Sequence, residues 1–589
     1  MNRPPLIQSY ALGLSLTNAI RALLLVLLGL SGGAFLTGCV TSGSLAPVPA
    51  SVALDSEDDL RHWFFEDKNR LQTEIPLNHM AVLADIYQGR DYQPLWLDGQ
   101  HLSSAGALLL QSLIETSADD AYVYAYHLAL IQQHLRVAEH NTAALNALDL
   151  LLTDAFVAYH ADVFSNRLHP TSMTQKAPPS SSAEQRRHHD NVVVLLNHIH
   201  TSDGLNQLVQ EMVPDHPEYL QLREALQHYQ ALAADPSWHP LNSGPTLELG
   251  MQGLDIGRLR DLLIFYGDAE LPQRGLFQSL RESQPTEEQL AAYNTFDEEL
   301  EVALKRFQKR HGQVADGRAG PITRSLLNIP PAYRVKQIAL NMKRWRELPK
   351  KLGERYIWVN ITDYQLQLIH DDRTELEMRI IIGTSYRPTP VFQKVVNNLV
   401  FNPYWNVPRR LAVNDILPQA RKDPEYLTRK HIRVFEDWES TTPIPNESID
   451  WSKATSRNFP YRLRQDPGPH NSLGRIKFLI PDSDAIYLHD TNDPSLFARG
   501  TRAMSSGCIR VEKPLELAEA LLLGSSWDRK RIENTINSGK TRHVGLIDHI
   551  PIYLFYATAW VGEDEQMVFR DDIYGLDKVI GHTKAPANQ

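Results

Sequence analysis

Cysteine is nearly absent from this chain: Cys39 and Cys508 are the only two in 589 residues. So small a supply excludes a disulfide framework and any thiolate-rich metal centre. Positive charge is outweighed, with 59 Lys and Arg against 70 Asp and Glu and a formal net charge of −11. That balance offers no basic stripe to track a phosphate backbone, so nucleic acid is excluded as a partner. Long apolar runs are missing too, apart from "ALLLVLLGL" at 22–30, which is short for a bilayer span. Apolar material is nonetheless ample at 42% of residues, and the length predicts roughly three or four domains.

The one apolar run has a context. Arg21 precedes it, and small residues followed by "LTGC" (36–39) close it, which is the pattern of a secretory signal. It resembles a bacterial lipoprotein signal. The resemblance implies a signal peptide over 1–38 and a lipid on Cys39; the other reading is an uncleaved membrane anchor. Either delivers the chain to the outer side of the cytoplasmic membrane. The expected location is the periplasm of a Gram-negative type envelope, as a membrane-anchored lipoprotein. With Cys39 so used, Cys508 has no intramolecular partner, and an unpaired thiol in an exported chain is a candidate reactive group.

Residues 40–59 read as a polar tether. Over 60–250 apolar residues recur at three- and four-residue spacing, as in "MAVLADIYQ" (80–88), "AGALLLQSLIETSADDA" (105–121) and "ALNALDLLLTDAFVAYHADVF" (144–164), predicting a helical scaffold. The polar stretch 174–190 reads as an exposed loop. Its adjacent His188 and His189 lack metal-ligand spacing, so no metal is assigned there. A small helical module is expected over 251–330, where "FDEELEVALKRFQKRHG" (296–312) ends at Gly312 and Thr323 stands near the start of the next helix. From 355 to 561 the period becomes two, with strands at 356–361, 365–370, 376–383, 397–403, 474–480 and 484–490, one helix at 512–524, and closing strand at 542–561. Residues 415–473 interrupt the strands and read as an inserted lid-like subdomain. Residues 562–589 are left as a tail. The fold class is therefore α+β and multidomain, ending in a mostly antiparallel β domain.

A working cysteine needs a base to take its proton and backbone N–H groups to face the developing oxyanion. "YLHDT" (487–491) places His489 at a strand end upstream of Cys508, and Gly507 in "SSGC" would let substrate and backbone approach closely. Taken singly, a cysteine more often packs than reacts, and a strand-end histidine is more often a surface residue. Their pairing in an exported chain without disulfides raises both, without naming a reaction.

"AIYLHDTNDPSLFARGTRAMSSGCIRVEKP" (485–514) resembles the active-site stretch of the L,D-transpeptidases, whose catalytic module is often called the YkuD domain. That family has a histidine followed, slightly under twenty residues on, by Ser/Thr-X-Gly-Cys and apolar-Arg. Here these fall on His489, Ser505, Gly507, Cys508 and Arg510. The resemblance extends to "IIIGTSYRPTPVF" (380–392), "NPYWNVP" (402–408) and "LGRIKFLIPDSDAIYLHD" (473–490). Asp490 and Ser506 replace the glycine and second histidine of many members, matching the larger multidomain branch. "ALKRFQKRHGQVADGRAGPITRSLLN", with "IGRLRDLLIFYGD" upstream, is similar to the three-helix peptidoglycan-binding domains.

The resemblance implies a peptidoglycan L,D-transpeptidase of cell wall biogenesis and cell shape, forming 3–3 cross-links between diaminopimelate residues. Cys508 would attack the donor tetrapeptide stem to give a thioester, which an acceptor diaminopimelate amine resolves. His489 would be the base, oriented by the Asp490 carbonyl. Gly507 and Tyr487 would line the oxyanion site, and Arg510 would bind a substrate carboxylate or anchor the loop. Ser505, Ser506, Arg502, Trp405 and Asn406 are further substrate-binding candidates. A thioester route calls for no metal or cofactor. The alternatives at the same thiol are an L,D-carboxypeptidase outcome or protein attachment to the wall; a non-catalytic peptidoglycan-binding lipoprotein is the third reading. The expected partners are thus peptidoglycan stems and, through the lipid, a membrane.

Overall fold

The computed structural model describes residues 60–65, 75, 77–116, 126–138, 141–168, 182–269, 286–423, 425–481, 483 and 486–577. The leader, Cys39 and the 40–59 tether lie outside them. The N-terminal region is built on helices α1 (Met80–Gly89), α2 (Ser104–Thr116), α3 (Leu128–Val137), α4 (Thr142–Leu168), α5 (Ser182–His198) and α6 (Ser202–Met212). Helix α4 is the axis. Leu150, Leu151, Leu152, Ala155 and Phe156 are wholly buried on successive sides of it, so it is buried all round, as a core helix is. Its stretch Thr142–Ala161 is long and apolar enough to cross a membrane, yet 89% of that window is buried inside the protein. Two carboxylates of α4 are wholly buried in this core. Asp149 accepts from the Leu95 and Trp96 amides and the Tyr87 hydroxyl, joining α4 to the loop after α1. Asp154 accepts from the Asn78 and His79 amides.

The expected loop at 174–190 is helical from Ser182 onward, and residues 174–181 lie outside the described set. The correction has a physical cause. Val192 and Leu196 give α5 a buried stripe, and the His188 ring packs at 4.9 Å from that of His160 on α4. The polar residues at the start of α5 masked that stripe.

Helix α7 (Pro217–Ala234) precedes a helical module of α8 (Leu254–Phe265), α9 (Glu287–Tyr293), α10 (Glu298–Arg310) and α11 (Pro321–Leu327). Leu259, Leu263, Leu304, Phe307 and Leu327 form its core. Asp297 caps α10 by accepting from the Leu300 amide, and Gly312 ends the turn after it at a φ of +69°. The module thus has a fourth short helix, α9, with its own capping box at Thr286 and Gln289. Helix α12 (Pro331–Arg346) was not foreseen, because Arg334, Gln337, Asn341, Arg344 and Arg346 are buried in it and blur its apolar stripe. Its Ile338, Met342 and Trp345 share a core with Tyr219, Leu222 and Leu226 of α7 and with Tyr553 and Phe555 of the sheet. Helix α7, inside the expected 60–250 scaffold, therefore also packs with the C-terminal domain.

That domain is a sheet of β1 (Arg355–Asn360), β2 (Gln365–His370), β3 (Arg373–Gly383), β4 (Phe392–Phe401), β8 (Ile476–Leu479), β9 (Tyr487–His489), β10 (Ala503–Ser505), β11 (Ile509–Val511) and β12 (Arg542–Phe555). Its order is β10-β3-β11-β9-β8-β4-β12-β1-β2, and β2 also pairs with β3, so the sheet closes on itself. Most pairings are antiparallel; β9–β11, β10–β3 and β12–β1 are parallel. Two helices, Pro514–Leu521 and Arg529–Asn537, pack on it where one was expected. Between β4 and β8 the insertion forms a separate three-stranded sheet, β5 (Trp405–Asn406), β7 (Arg462–Gln465) and β6 (Ile432–Phe435). Its core of Val407, Ile416, Leu427, Val434, Trp451 and Leu463 begins upstream of residue 415.

The expected tail is partly structural as well. Strand β13 (Ala559–Val561) pairs with β14 (Met567–Phe569), and Asp577 holds buried Arg344 of α12 at 2.6 Å. Residues beyond 577 lie outside the described set. Beside β14, buried Arg310 grips Asp268 through two hydrogen bonds and donates to the Met567 carbonyl. Asp268→Ala would strand that guanidinium without its carboxylate. It should destabilise the chain by about 3–5 kcal/mol, seen as a lower unfolding midpoint by calorimetry.

Candidate functional site

Side-chain alternation sets the site. In the three central strands β8, β9 and β11, residues Ile476, Phe478, Leu488, Ile509 and Val511 are buried in the sheet core. Their neighbours Lys477, Tyr487, His489 and Arg510 must then point to the other face. Register places Lys477 opposite His489 and His489 opposite Arg510, so lysine, histidine and arginine form one row across three strands. Cys508 directly precedes β11, and Tyr487 lies two residues before His489 on β9.

The loop before Cys508 is fixed from several sides. Gly507 has a φ of +117°, a conformation that a side chain would strain. Ser505 Oγ donates to the Cys508 carbonyl at 2.5 Å and accepts from the Gly507 amide at 3.1 Å. Thr389 Oγ1 donates to the Gly507 carbonyl and accepts from the Gly383 amide. The Tyr574 hydroxyl donates to the Gly383 carbonyl at 2.7 Å. Ser505 is 6% exposed and spent inside the turn, so it is a loop brace rather than a substrate contact.

His489 is 5% exposed. Its Nδ1 lies 2.5 Å from the Asp490 carbonyl, which can only accept, so Nδ1 carries the proton and Nε2 keeps its lone pair. The Asp490 carboxylate is engaged elsewhere, accepting from the Arg475 and Thr491 amides. Gly474 lies against it: a Cβ there would meet the Asp490 Cγ at 2.4 Å, at a φ of +61°. Burial, then the Arg510 and Lys477 charges, push the imidazole down to about 3, against the Asp490 carbonyl that pulls it up.

Cys508 is half-buried. Burial pushes its thiol up, while the Tyr487 amide and hydroxyl and the charges of Lys477 and Arg410 pull it down. Burial and the hydrogen bond to Cys508 raise the Tyr487 phenol, so that hydroxyl remains a donor; Trp405 hydrogen-bonds it from the insertion. Resting thiol and imidazole are therefore both neutral.

The remaining candidates divide. Arg502 donates to the Ile380, Arg499 and Tyr364 carbonyls and so staples β3, which corrects its expected place in a substrate wall. Asn406 is exposed and pairs with Arg464 on the face of β5 opposite Trp405. The Arg510 Nε is buried with no hydrogen-bond partner among the described residues, and Asp493 favours the charged guanidinium without pairing with it. Ser506 is held from the insertion side: Arg387 donates to its hydroxyl and Arg410 to its carbonyl, while Arg387 also grips Asp415. Sequence reasoning missed Lys477, Arg387 and Arg410. Period-two phase could have found Lys477, an ammonium in a strand whose neighbours are Ile476 and Phe478.

Comparison with known proteins places these residues in a family context. Residues 354–532 match the L,D-transpeptidase catalytic domain family, residues 81–226 a scaffold domain, and residues 255–327 the family described as "Putative peptidoglycan binding domain". A Haemophilus influenzae protein described as "Putative L,D-transpeptidase" is 41% identical over 245 residues, 42% of this chain and 49% of that protein. The chain thus spans about half the length of that relative. Solved L,D-transpeptidases from Stackebrandtia nassauensis and Xylanimonas cellulosilytica align at 12% and 11% identity. The first covers 54% of this chain and 97% of its own with a TM-score of 0.18; the second covers 53% and 99% with 0.15. Likeness that low carries no structural inference.

An imidazole held so low gives a testable signature. Ring NMR of His489 should show the neutral Nδ1–H tautomer throughout pH 5–8, with its midpoint near 3 rather than about 6.5. Because the folded value lies below the unfolded one, the unfolded chain takes up this proton first as pH falls. Stability from this group is complete above about pH 6.5 and declines towards 3; His489→Gln should flatten that part of the pH–stability curve.

Proposed function

We propose that this chain, which carries an L,D-transpeptidase catalytic domain at 354–532, forms 3–3 cross-links in peptidoglycan through a thioester on Cys508. His489 Nε2 takes the thiol proton as sulfur attacks the carbonyl carbon of the diaminopimelate residue in a donor tetrapeptide stem. The bond to the terminal D-alanine breaks, and that amine leaves with the proton from His489. The side-chain amine of an acceptor diaminopimelate then attacks the thioester, the new amide forms, and the thiol recovers its proton. The Cys508 backbone N–H and the Tyr487 hydroxyl face the oxyanion of each tetrahedral intermediate, while the Gly507 amide, expected to help, is spent on Ser505 Oγ.

One observation carries the reading: the Asp490 carbonyl holds His489 Nδ1 at 2.5 Å, leaving the other ring nitrogen as base on the face shared with Cys508. The unpartnered Nε of Arg510 supports substrate-carboxylate binding over loop anchoring. The module at 255–327 would hold the wall polymer while the insertion covers the stems. The leader supports an exported, lipid-anchored protein in the periplasm.

The test is incubation of the chain with disaccharide-tetrapeptide, followed by mass spectrometry. A dimer lacking one D-alanine is expected, together with a carbapenem adduct on Cys508. Tripeptide alone would instead mean hydrolysis of the thioester, and no turnover would leave only polymer binding. Cys508→Ala should reduce product to background; retained activity would overturn the assignment.

A further inference from the structure

We infer that Lys477 is a positioning residue for the Cys508 thiolate, its ammonium fixing and polarising the tyrosine that hydrogen-bonds the sulfur. The inference rests on Cys508 being the nucleophile. Lys477 lies in the middle strand of the site, between Ile476 and Phe478 of the sheet core, and opposite Val400 on β4 as well as His489 on β9. Its ammonium stands 3.7 Å from the centroid of the Tyr487 ring. Among the described residues its contacts are the Tyr487 ring and the field of Cys508, with no carboxylate acting on it. A half-buried cation without a carboxylate is costly unless another group answers its charge. Two groups do so here: the π face of Tyr487 and, once it ionises, the sulfur of Cys508.

The geometry gives the lysine two routes to that sulfur. A cation on the face of an aromatic ring is held by the ring's quadrupole. It draws electron density from the phenol, which makes the O–H a stronger donor to the thiolate. The charge also acts on the sulfur through space. The electrostatics run both ways: burial disfavours the charged lysine, and an ionised Cys508 favours it. Tyr487 is otherwise constrained by Trp405 at its hydroxyl and by His489, whose ring lies edge-on at 5.7 Å. The other charges bearing on Cys508 are Arg410, from the insertion, and Arg510, whose own field is moderated by Asp493. Arg510 cannot substitute for Lys477, because it flanks His489 on the opposite side in the row.

The test reads the thiol itself. In the full chain with Cys39→Ser, Cys508 is the sole cysteine, so the rate of iodoacetamide alkylation against pH reports its thiolate without any substrate. Lys477→Met should raise the midpoint by about one unit or more, so that alkylation well below the midpoint slows about tenfold. Lys477→Arg should restore most of the shift. Tyr487→Phe should raise the midpoint by itself, and Lys477→Met should add less to it than to the wild type. Lys477→Gln serves in place of Lys477→Met should the latter not fold. A wild-type midpoint in Lys477→Met, or a lysine effect undiminished without the Tyr487 hydroxyl, would overturn the inference. Alkylation needs no turnover, so transpeptidase activity surviving in Cys508→Ala would defeat the nucleophile assignment while leaving this measurement readable.

Discussion

Two register pairs between β9 and β11, Leu488 with Ile509 and His489 with Arg510, govern everything else in the site. Strand pairing has a period of two, so a slip by one residue would turn His489 into the sheet core and Leu488 towards the substrate face. The core forbids that slip, since Leu488 and Ile509 are both wholly buried beside Phe478. Apolar packing on one face thereby fixes chemistry on the other. The parallel sense of this pair also requires a crossover, which residues 490–508 provide, and that crossover carries the turn before Cys508.

Low dielectric then decides protonation. A buried histidine flanked by Lys477 and Arg510 stays neutral, and desolvation keeps the half-buried thiol protonated. The pair differs from a preformed thiolate–imidazolium, which would be reactive towards any electrophile. On the proposed function, ionisation near neutral pH would be coupled to a carbonyl entering the site, with fixed donors meeting its developing oxyanion. Fixed donors need a rigid loop. Ser505 and Thr389 are spent inside the structure to supply that rigidity.

Legibility in the sequence followed the same physics. Strands with clean alternation, such as "QLQLIH", coincide with their observed span Gln365–His370. Helices with a single apolar stripe were legible too; α10 is an instance. Helix α12 was not, because its buried arginines and asparagine read as surface residues until their partners from distant segments are known. Sheet closure was equally hidden, since no local pattern records that β2 pairs with β3 on one side and β1 on the other. Near Cys508, motif spacing brought out His489 and Gly507, but residues that act across strands or from the insertion, Lys477 and Arg387 among them, have no sequence proximity to advertise them. Arg502 and Ser505 stood in the right stretch and proved to be spent on the backbone.

The same long-range contacts explain why the C-terminal segment belongs to the site. Asp577 holds Arg344 and the Thr558 hydroxyl, and Asn341 of α12 also bonds that hydroxyl. From the same segment, Tyr574 reaches Gly383, whose amide is held by the threonine that also holds Gly507. A continuous polar chain therefore runs from α12 to the residue before the thiol. The helical module joins it at β14, where Arg310 donates to the Met567 carbonyl and Arg570 donates back to the Arg310 carbonyl. A polymer held by that module would consequently sit on a surface fixed to the same C-terminal segment that braces the loop before Cys508. Precise placement of a donor carbonyl demands such a common frame, because misplacement by about 1 Å at a reacting centre is enough to cost about a hundredfold in rate.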